Sequence, residues 1–317
     1  MLGFFDILLL LASLGITLGI IVPLLGVLVR YRANYNPKGL QLDAEGGAQP
    51  HTGPIIHTYF GMMRRVYTIE GISGLYKGIM PTLLSTLLVA LAVGLLVEPS
   101  PRVNKYRAPE TGIFGTLLYS IGMMLLALPT SVITYRCITT PLKLSYFNAM
   151  KSLRVLLTPT ERRKPWIIYL TPGLLAAEVL HIFIVVLGLN PIRRALLGKS
   201  DEDSDSDMSP AKLGIYLVFV CLSTVLLTPL EVIATRLAIQ RNHASSEYNS
   251  VSQEVDGDAE DVTEFAGTEE DVIGLRNEED PYVGLIDCAK RIIDEEGWST
   301  LFRGWWWTFV GLLGTIP

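Results

Sequence analysis

Glu178 and His181 lie three positions apart in Glu178-Val-Leu-His181, inside a stretch otherwise free of charge. On a helix this spacing puts both side chains on one face, one turn apart. Ionisable groups within an apolar helix are functional candidates, because burying them without a role is costly. The chemistry such a pair can do is proton exchange, since imidazole changes charge between about pH 5 and 8 and a neighbouring carboxylate can share that proton. A structural reading stands beside this one, in which the two side chains hydrogen-bond each other and point into a helix bundle or a wet cavity. Glu-x-x-His spacing also builds di-iron bundles, but those need a second copy and partner carboxylates, and this chain has one copy. No metal and no cofactor is implied.

The elements that must hold these residues are apolar helices. Of 317 residues, 50% are hydrophobic and only 18% charged, with a mean hydropathy of +0.38. The apolar surplus is blocky: Ile7–Val29, Ile79–Val97, Gly112–Tyr135 and Leu213–Leu230 each run without Asp, Glu, Lys or Arg. A hydrocarbon core of roughly 30 Å needs about 20 apolar helical residues, which such runs supply. This pattern excludes a soluble enzyme, a disordered chain and a nucleic-acid binder, and it makes the lipid bilayer the first expected partner. The net charge of −5 misleads, because thirteen acidic residues and one basic residue, Arg276, fall between Ser245 and Asp280. A block so charged buries too little apolar surface to offset the entropy of ordering, and is expected to be a disordered insertion over 245–280. Asp256, Asp258, Glu260 and Asp261 within it lack the Gly and terminal Glu spacing of a calcium-binding loop. The shorter acidic run Asp201–Asp207 reads as a solvated loop. Cys137, Cys221 and Cys288 have neither metal-ligand spacing nor a disulfide pattern, and those in apolar runs read as small core residues.

A repeat organises the helices. Pro23-Leu24, Pro141-Leu142 and Pro229-Leu230 each stand near the end of an apolar run, with Arg30 and Arg236 seven residues beyond the first and third prolines. Glu70-Gly71-Ile-Ser-Gly-Leu-Tyr-Lys-Gly78 then matches Glu296-Gly297-Trp-Ser-Thr-Leu-Phe-Arg-Gly304 position by position. Amphipathic stretches precede both, with Ile56, Phe60, Met63, Val66 and Tyr67 on one face of the first and Leu285, Ala289, Ile292 and Ile293 on one face of the third. Together these motifs resemble the mitochondrial carrier family, and the resemblance covers nearly the whole chain. The family pattern is Pro-x-Asp/Glu-x-x-Lys/Arg-x-Arg followed, after a short helix, by Glu-Gly-x-x-x-Leu-Tyr/Phe-Lys/Arg-Gly; Pro229, Glu231 and Arg236 fit the first part and Glu296 to Gly304 the second.

The resemblance implies an all-α integral membrane protein of three pseudo-repeats, each two transmembrane helices plus a short surface helix, over 1–110, 111–208 and 209–317. On that template the helices begin near Phe4, Ile79, Gly112, Trp166, Leu213 and Trp305. It implies transport through a central cavity in a mitochondrial membrane. Basic loops between helices one and two and between three and four agree with a positive-inside bias towards the matrix. The N-terminus, Met1-Leu-Gly-Phe-Phe-Asp, has no presequence character, so mitochondrial targeting would be internal.

Several family positions have changed. The acids expected two residues after each proline are here Leu25, Lys143 and Glu231, and the bases expected five residues after are Leu28, Tyr146 and Ala234. Glu231 with Lys143 is the one gate pair that this alignment leaves, and two charges facing water at the membrane surface are the alternative reading. In the opposite gate, Glu98 has Arg102 one place late and Arg193 has lost its acid. The substrate-contact positions, seven residues beyond the motif glycine, are Ser85 and Gly311; helix four lacks the glycine in this alignment, and Pro172 set against Pro81 gives Ala176 and Ala177. The sixth helix, 305–317, spans about 20 Å and is expected to be truncated or a stub. Gly15-x-x-x-Gly19 and Gly112-x-x-Gly115 read as helix-packing faces, and Trp305-Trp306-Trp307 as an interfacial aromatic belt.

Two functions follow. One is a secondary transporter of a small, weakly charged or apolar solute, working by alternating access. The other is a carrier fold that no longer transports and serves in the outer mitochondrial membrane as a fusion or dynamics scaffold or as an insertase.

Overall fold

The computed structural model describes residues 8, 12–38, 41–42, 48–49, 54–96, 112–145, 148–197, 210–242, 266, 271–277 and 280–314. Their regular structure is helical apart from one antiparallel pair of two-residue strands, Gln41–Leu42 and Ala48–Gln49. The helices are α1 (Val22–Ala33, after a π-turn at Thr17–Ile21), α2 (Tyr59–Leu75), α3 (Ile79–Leu96) and α4 (Ile113–Thr139). Two short helices follow, α5 (Ala149–Leu156) and α6 (Pro159–Arg163), then α7 (Leu174–Phe183). A π-turn at Ile184–Leu189 leads into α8 (Asn190–Leu197), which precedes α9 (Pro210–Ile239), α10 (Leu285–Glu295) and α11 (Trp305–Leu313).

Among the described residues, four stretches are long and apolar enough to cross a bilayer: Ala12–Ala33, Ile113–Thr139, Leu174–Leu196 and Pro210–Ile239. A fifth arises if α2 and the first part of α3, bent by 50°, are counted as one. Large apolar side chains on these helices, among them Leu87, Leu91, Phe114, Leu118, Leu222 and Val225, are exposed. A soluble protein would bury such a continuous apolar surface, whereas a bilayer is its natural solvent.

The helical register differs from the sequence expectation in two places. Residues 165–170, expected to begin the fourth long helix at Trp166, instead wind as a 3₁₀ turn, and α7 starts at Leu174. Pro172 disfavours the helical conformation of Thr171, and Gly173 at φ +81 breaks the path. Likewise α4 ends at Thr139, so Pro141 and Lys143 lie beyond it, and the proline inside this helix is Pro129.

The described residues pack as two compact units. The first draws on 1–86, 129–171 and 238–281. Its α1 and α2 bury Val27, Leu28, Met62 and Val66. Tyr59 Oη donates to the Leu24 carbonyl at 2.8 Å, and Tyr76 Oη to that of Gly19 at 3.0 Å. The second unit draws on 87–128, 172–237 and 282–317. Its core joins Leu189, Tyr216, Val220, Leu227 and Leu312. Cys137 and Cys288 are buried, but Cys221, expected in the core, sits exposed on α9.

The acidic insertion is also redrawn. Residues 245–265, 267–270 and 278–279, with the acidic run 201–207 and the Glu98 and Arg102 positions, lie outside the described residues. Residues 271–277, however, are docked within the first unit, with Val272 and Ile273 buried. Arg65 donates to the Asp271 and Val272 carbonyls at 3.0 Å each. Gly274 closes the contact, its N–H donating to Asn34 Oδ1 at 3.0 Å and its carbonyl accepting from the Tyr35 N–H at 2.8 Å. The segment itself offers only backbone groups to Arg65, Asn34 and Tyr35, which is why its composition did not reveal the contact.

Removing the two charged hydrogen bonds with Arg65→Ala is expected to cost about 1.5–3 kcal/mol per bond at most. Hydrogen exchange should show the Gly274 amide opening faster in the variant; unchanged protection would mean that Asn34 and burial suffice to hold the segment.

Candidate functional site

Two levels of organisation position the candidate side chains. The lower level is a set of buried arginine–carboxylate pairs near helix ends. Arg30, seven residues beyond Pro23, is only 1% exposed. It donates to Glu70 Oε2 at 2.5 Å and to the carbonyls of Gly74 and Ile138 at 2.9 Å each. Lys77 Nζ pairs with the other oxygen of Glu70 and donates to the Thr140 carbonyl at 2.8 Å. In the second unit, Arg236 forms a bidentate pair with Glu296, one bond measuring 2.9 Å, and Arg303 approaches the same carboxylate at 3.5 Å.

A third pair of the same design was missed from sequence. Arg136 stands seven residues beyond Pro129 and grips Glu161 through two bonds of 2.6 and 2.9 Å. Its guanidinium also donates to the carbonyls of Ala238 and Gln240, at 3.2 and 2.6 Å. Where the other pairs have Lys77 and Arg303, this one has Asn242, whose N–H and Nδ2 reach Glu161 at 3.1 and 3.0 Å. Glu161 also closes a capping box with Thr158 at the start of α6. Burial pushes its carboxyl up, but the Arg136 hydrogen bonds and charge more than reverse this and hold it below the usual carboxylate range.

The glycines of the repeated motif explain why that motif reads as it does. Gly71 and Gly297 adopt φ +69 and +94, and Gly78 and Gly304 adopt φ +92 and +73. Such backbone strains any residue with a Cβ. Gly173, immediately before α7, shares the feature and the place, so the fourth helix does carry its glycine. It stands twelve residues after Glu161, against eight in the other two motifs, and the longer spacing hid it. Counting seven residues from Gly173 reaches Leu180, with His181 next, whereas the alignment on Pro172 gives Ala176 and Ala177. Ala177 is 1% exposed within the packing of α7, while Ala176 is exposed.

The upper level is the polar cluster itself, formed in the second unit by α7, α9 and α11. His181 Nε2 lies 3.4 Å from Glu231 Oε1, and Thr308 Oγ1 donates to Glu231 Oε2 at 2.6 Å. Glu178, one turn before His181 and half-buried, has His181 and Glu231 as its charged neighbours. Glu231, from α9, joins Glu178 and His181 in this cluster. Within the second unit, His181 and Thr308 both approach the Glu231 carboxylate, and Lys143 lies in the first unit. Of the other contact positions, Ser85 is half-buried and accepts a hydrogen bond from Thr130 Oγ1 at 3.2 Å, and Gly311 is exposed on α11. The arrangement can bind and release protons and present hydroxyl, imidazole and carboxylate groups to a polar solute.

Residues 217–315 match the family model described as mitochondrial carrier protein. The matched stretch takes in Glu231, Arg236, Glu296 and Thr308. No curated protein matches the chain.

Two substitutions probe this framework. Glu161→Gln leaves the buried Arg136 uncompensated, and losing one partner of a buried pair costs about 3–5 kcal/mol. Because the Glu161 carboxyl is held low, its stabilisation is complete above the ordinary carboxylate pKa near 4.5 and is lost as pH falls through the lowered value. Thermal melts should therefore separate wild type from Glu161→Gln at neutral pH and converge in acid. Gly173→Ala places a Cβ 2.2 Å from the Leu285 nitrogen, and left-handed backbone alone costs about 1–2 kcal/mol. It should lower the melting temperature well below that of Gly311→Ala, whose Cβ meets nothing.

Proposed function

We propose that this chain is a carrier of the mitochondrial family, a multi-pass protein of a mitochondrial membrane, and that it moves a small, weakly charged or apolar solute by alternating access; the match of residues 217–315 to the family model supports this reading. On this reading the chain is built from three pseudo-repeats, over 1–110, 111–208 and 209–317, each carrying a proline seven residues before a buried arginine and a carboxylate that returns to pair with it. Three such pairs, Arg30–Glu70, Arg136–Glu161 and Arg236–Glu296, support the repeat.

The observation that carries transport over a purely structural role is the contact of His181 with Glu231 and of Glu231 with Thr308. Three apolar helices are made to share one half-buried polar cluster, and His181 stands beside the contact position counted from Gly173. A protein serving as an inert scaffold gains nothing from keeping that cluster within membrane-spanning helices. Leu180 and His181 then take the contact role on the fourth helix and Gly311 on the sixth, and Ser85 is the corresponding position on the second helix. The solute class follows from charge. An anion in a low-dielectric site needs an opposing cation. Arg30, Arg136 and Arg236 are each held by a buried glutamate.

A second reading has its own support. With Pro129 taken as the second repeat's proline, the gate acids become Leu25, Ser131 and Glu231 and the gate bases Leu28, Thr134 and Ala234. Of those six positions only Glu231 is charged, and it faces His181. A carrier fold without its gate pairs suits a scaffold or insertase of the outer membrane.

Two measurements separate the readings. Protease digestion before and after rupture of the outer membrane assigns the compartment: cleavage that requires breaching the inner membrane supports the transporter. Uptake of a panel of labelled neutral and zwitterionic solutes into proteoliposomes should then be saturable in wild type and fall at least about tenfold in Glu231→Gln, the order of loss for one buried polar contact. An outer-membrane location with no uptake of any solute would overturn transport in favour of the scaffold.

A further inference from the structure

We propose that residues 271–277 are a strap that restrains the parting of the helix ends in the first unit. This rests on the alternating-access reading above and adds a restraint on the motion which that reading requires. Three observations carry it. First, the strap lands on the residues that end α1. Asn34, the C-cap of α1, is fully buried; its Oδ1 accepts from the Gly274 N–H at 3.0 Å, and the Tyr35 N–H donates to the Gly274 carbonyl at 2.8 Å. Asn34 Nδ2 also donates to the Pro54 carbonyl at 3.3 Å, and its backbone N–H to the Arg30 carbonyl at 2.9 Å. One residue thus joins the last turn of α1, the approach to α2 and the strap.

Second, the chain that carries the strap is fixed at the other helix ends before it arrives. Arg136, three residues before the end of α4, donates to the Ala238 and Gln240 carbonyls at the end of α9. Arg30 donates to the Ile138 carbonyl and so joins α1 to α4. The Ala266 N–H donates to the Pro141 carbonyl at 3.0 Å, just beyond α4, and eight residues later Gly274 sits on the cap of α1. The strap therefore links all three helix ends within the first unit.

Third, the docking is specific but shallow. Val272 and Ile273 are buried, while Asp271, Leu275 and Asn277 beside them are exposed. So short a docked segment with exposed flanks belongs to the low end of local stability, from which moving elements are drawn. Alternating access moves helix ends relative to one another. When the end of α1 swings away from the strap, the bonds of Asn34, Tyr35 and Arg65 break together and Val272 and Ile273 meet water. The strap opposes that swing.

The test uses the full chain in nanodiscs, with native Cys137 as probe. Cys137 is buried next to Ile138, whose carbonyl receives Arg30, so it becomes reachable when the ends of α1 and α4 part. Cys288, buried in the second unit, reports any general loss of fold. Gly274→Pro removes the N–H that Asn34 accepts, and Arg65→Ala removes the bonds to the Asp271 and Val272 carbonyls. Mass spectrometry should find Cys137 modified by a membrane-impermeant maleimide several-fold faster in the double variant than in wild type, with Cys288 unmodified. Leu275→Ala, at an exposed position beside the docked residues, should match wild type. Should the double variant expose Cys288, either single variant decides the matter. Equal Cys137 rates in wild type and strap variants, with Cys288 protected, would overturn the strap. Faster Cys137 modification in the variants, with no uptake by wild type of any solute in the panel above, would keep the strap and remove the transport reading.

Discussion

A guanidinium buried at the end of an apolar helix must find a carboxylate, and most of this architecture can be derived from that requirement. Arg30, Arg136 and Arg236 each lie within a few residues of a helix end and are 1%, 2% and 6% exposed, where an unpaired charge would cost several kcal/mol. Each is met by a glutamate that the chain brings back after leaving the helix. The remaining N–H groups find carbonyls, so that Arg30 binds Gly74 and Ile138 while Arg136 binds Ala238 and Gln240. One side chain thus ties together segments more than a hundred residues apart.

The return path has a geometric consequence. After its glutamate the chain must turn sharply to begin the next long helix, and Gly78, Gly173 and Gly304 supply the left-handed backbone at that turn. The turn fixes where the next helix starts, and so which of its residues stand at a given height. In the second unit this sets His181 on α7 and Thr308 on α11 at the levels where both meet Glu231. Scaffold and site are coupled through a conformation only glycine adopts easily.

The same logic of pairing extends to the second unit's polar cluster. There Glu296 holds Arg236 and Arg303, while imidazole and hydroxyl groups from His181 and Thr308 approach the Glu231 carboxylate.

The sequence by itself determined the membrane class, the helical character and the first and third motifs, because these depend on neighbours along the chain. Run length against bilayer thickness is local information, and so is the need for glycine at Gly71 and Gly297. The Arg136–Glu161 pair was hidden for a local reason too: Pro141-Leu142 imitates the other Pro-Leu pairs, and four extra residues separate Glu161 from Gly173. Had proline-plus-seven arginine been weighted above the Pro-Leu echo, Pro129 and Arg136 were legible. Other features were decided by tertiary structure alone. Glu231 meets His181 fifty positions away in sequence, Asn242 completes the Glu161 cage, and an acidic segment judged unable to order itself docks at 271–277 through backbone hydrogen bonds. Each depends on closing a loop in space so that one specific donor reaches one specific acceptor, and no periodicity or composition along the chain encodes that distance.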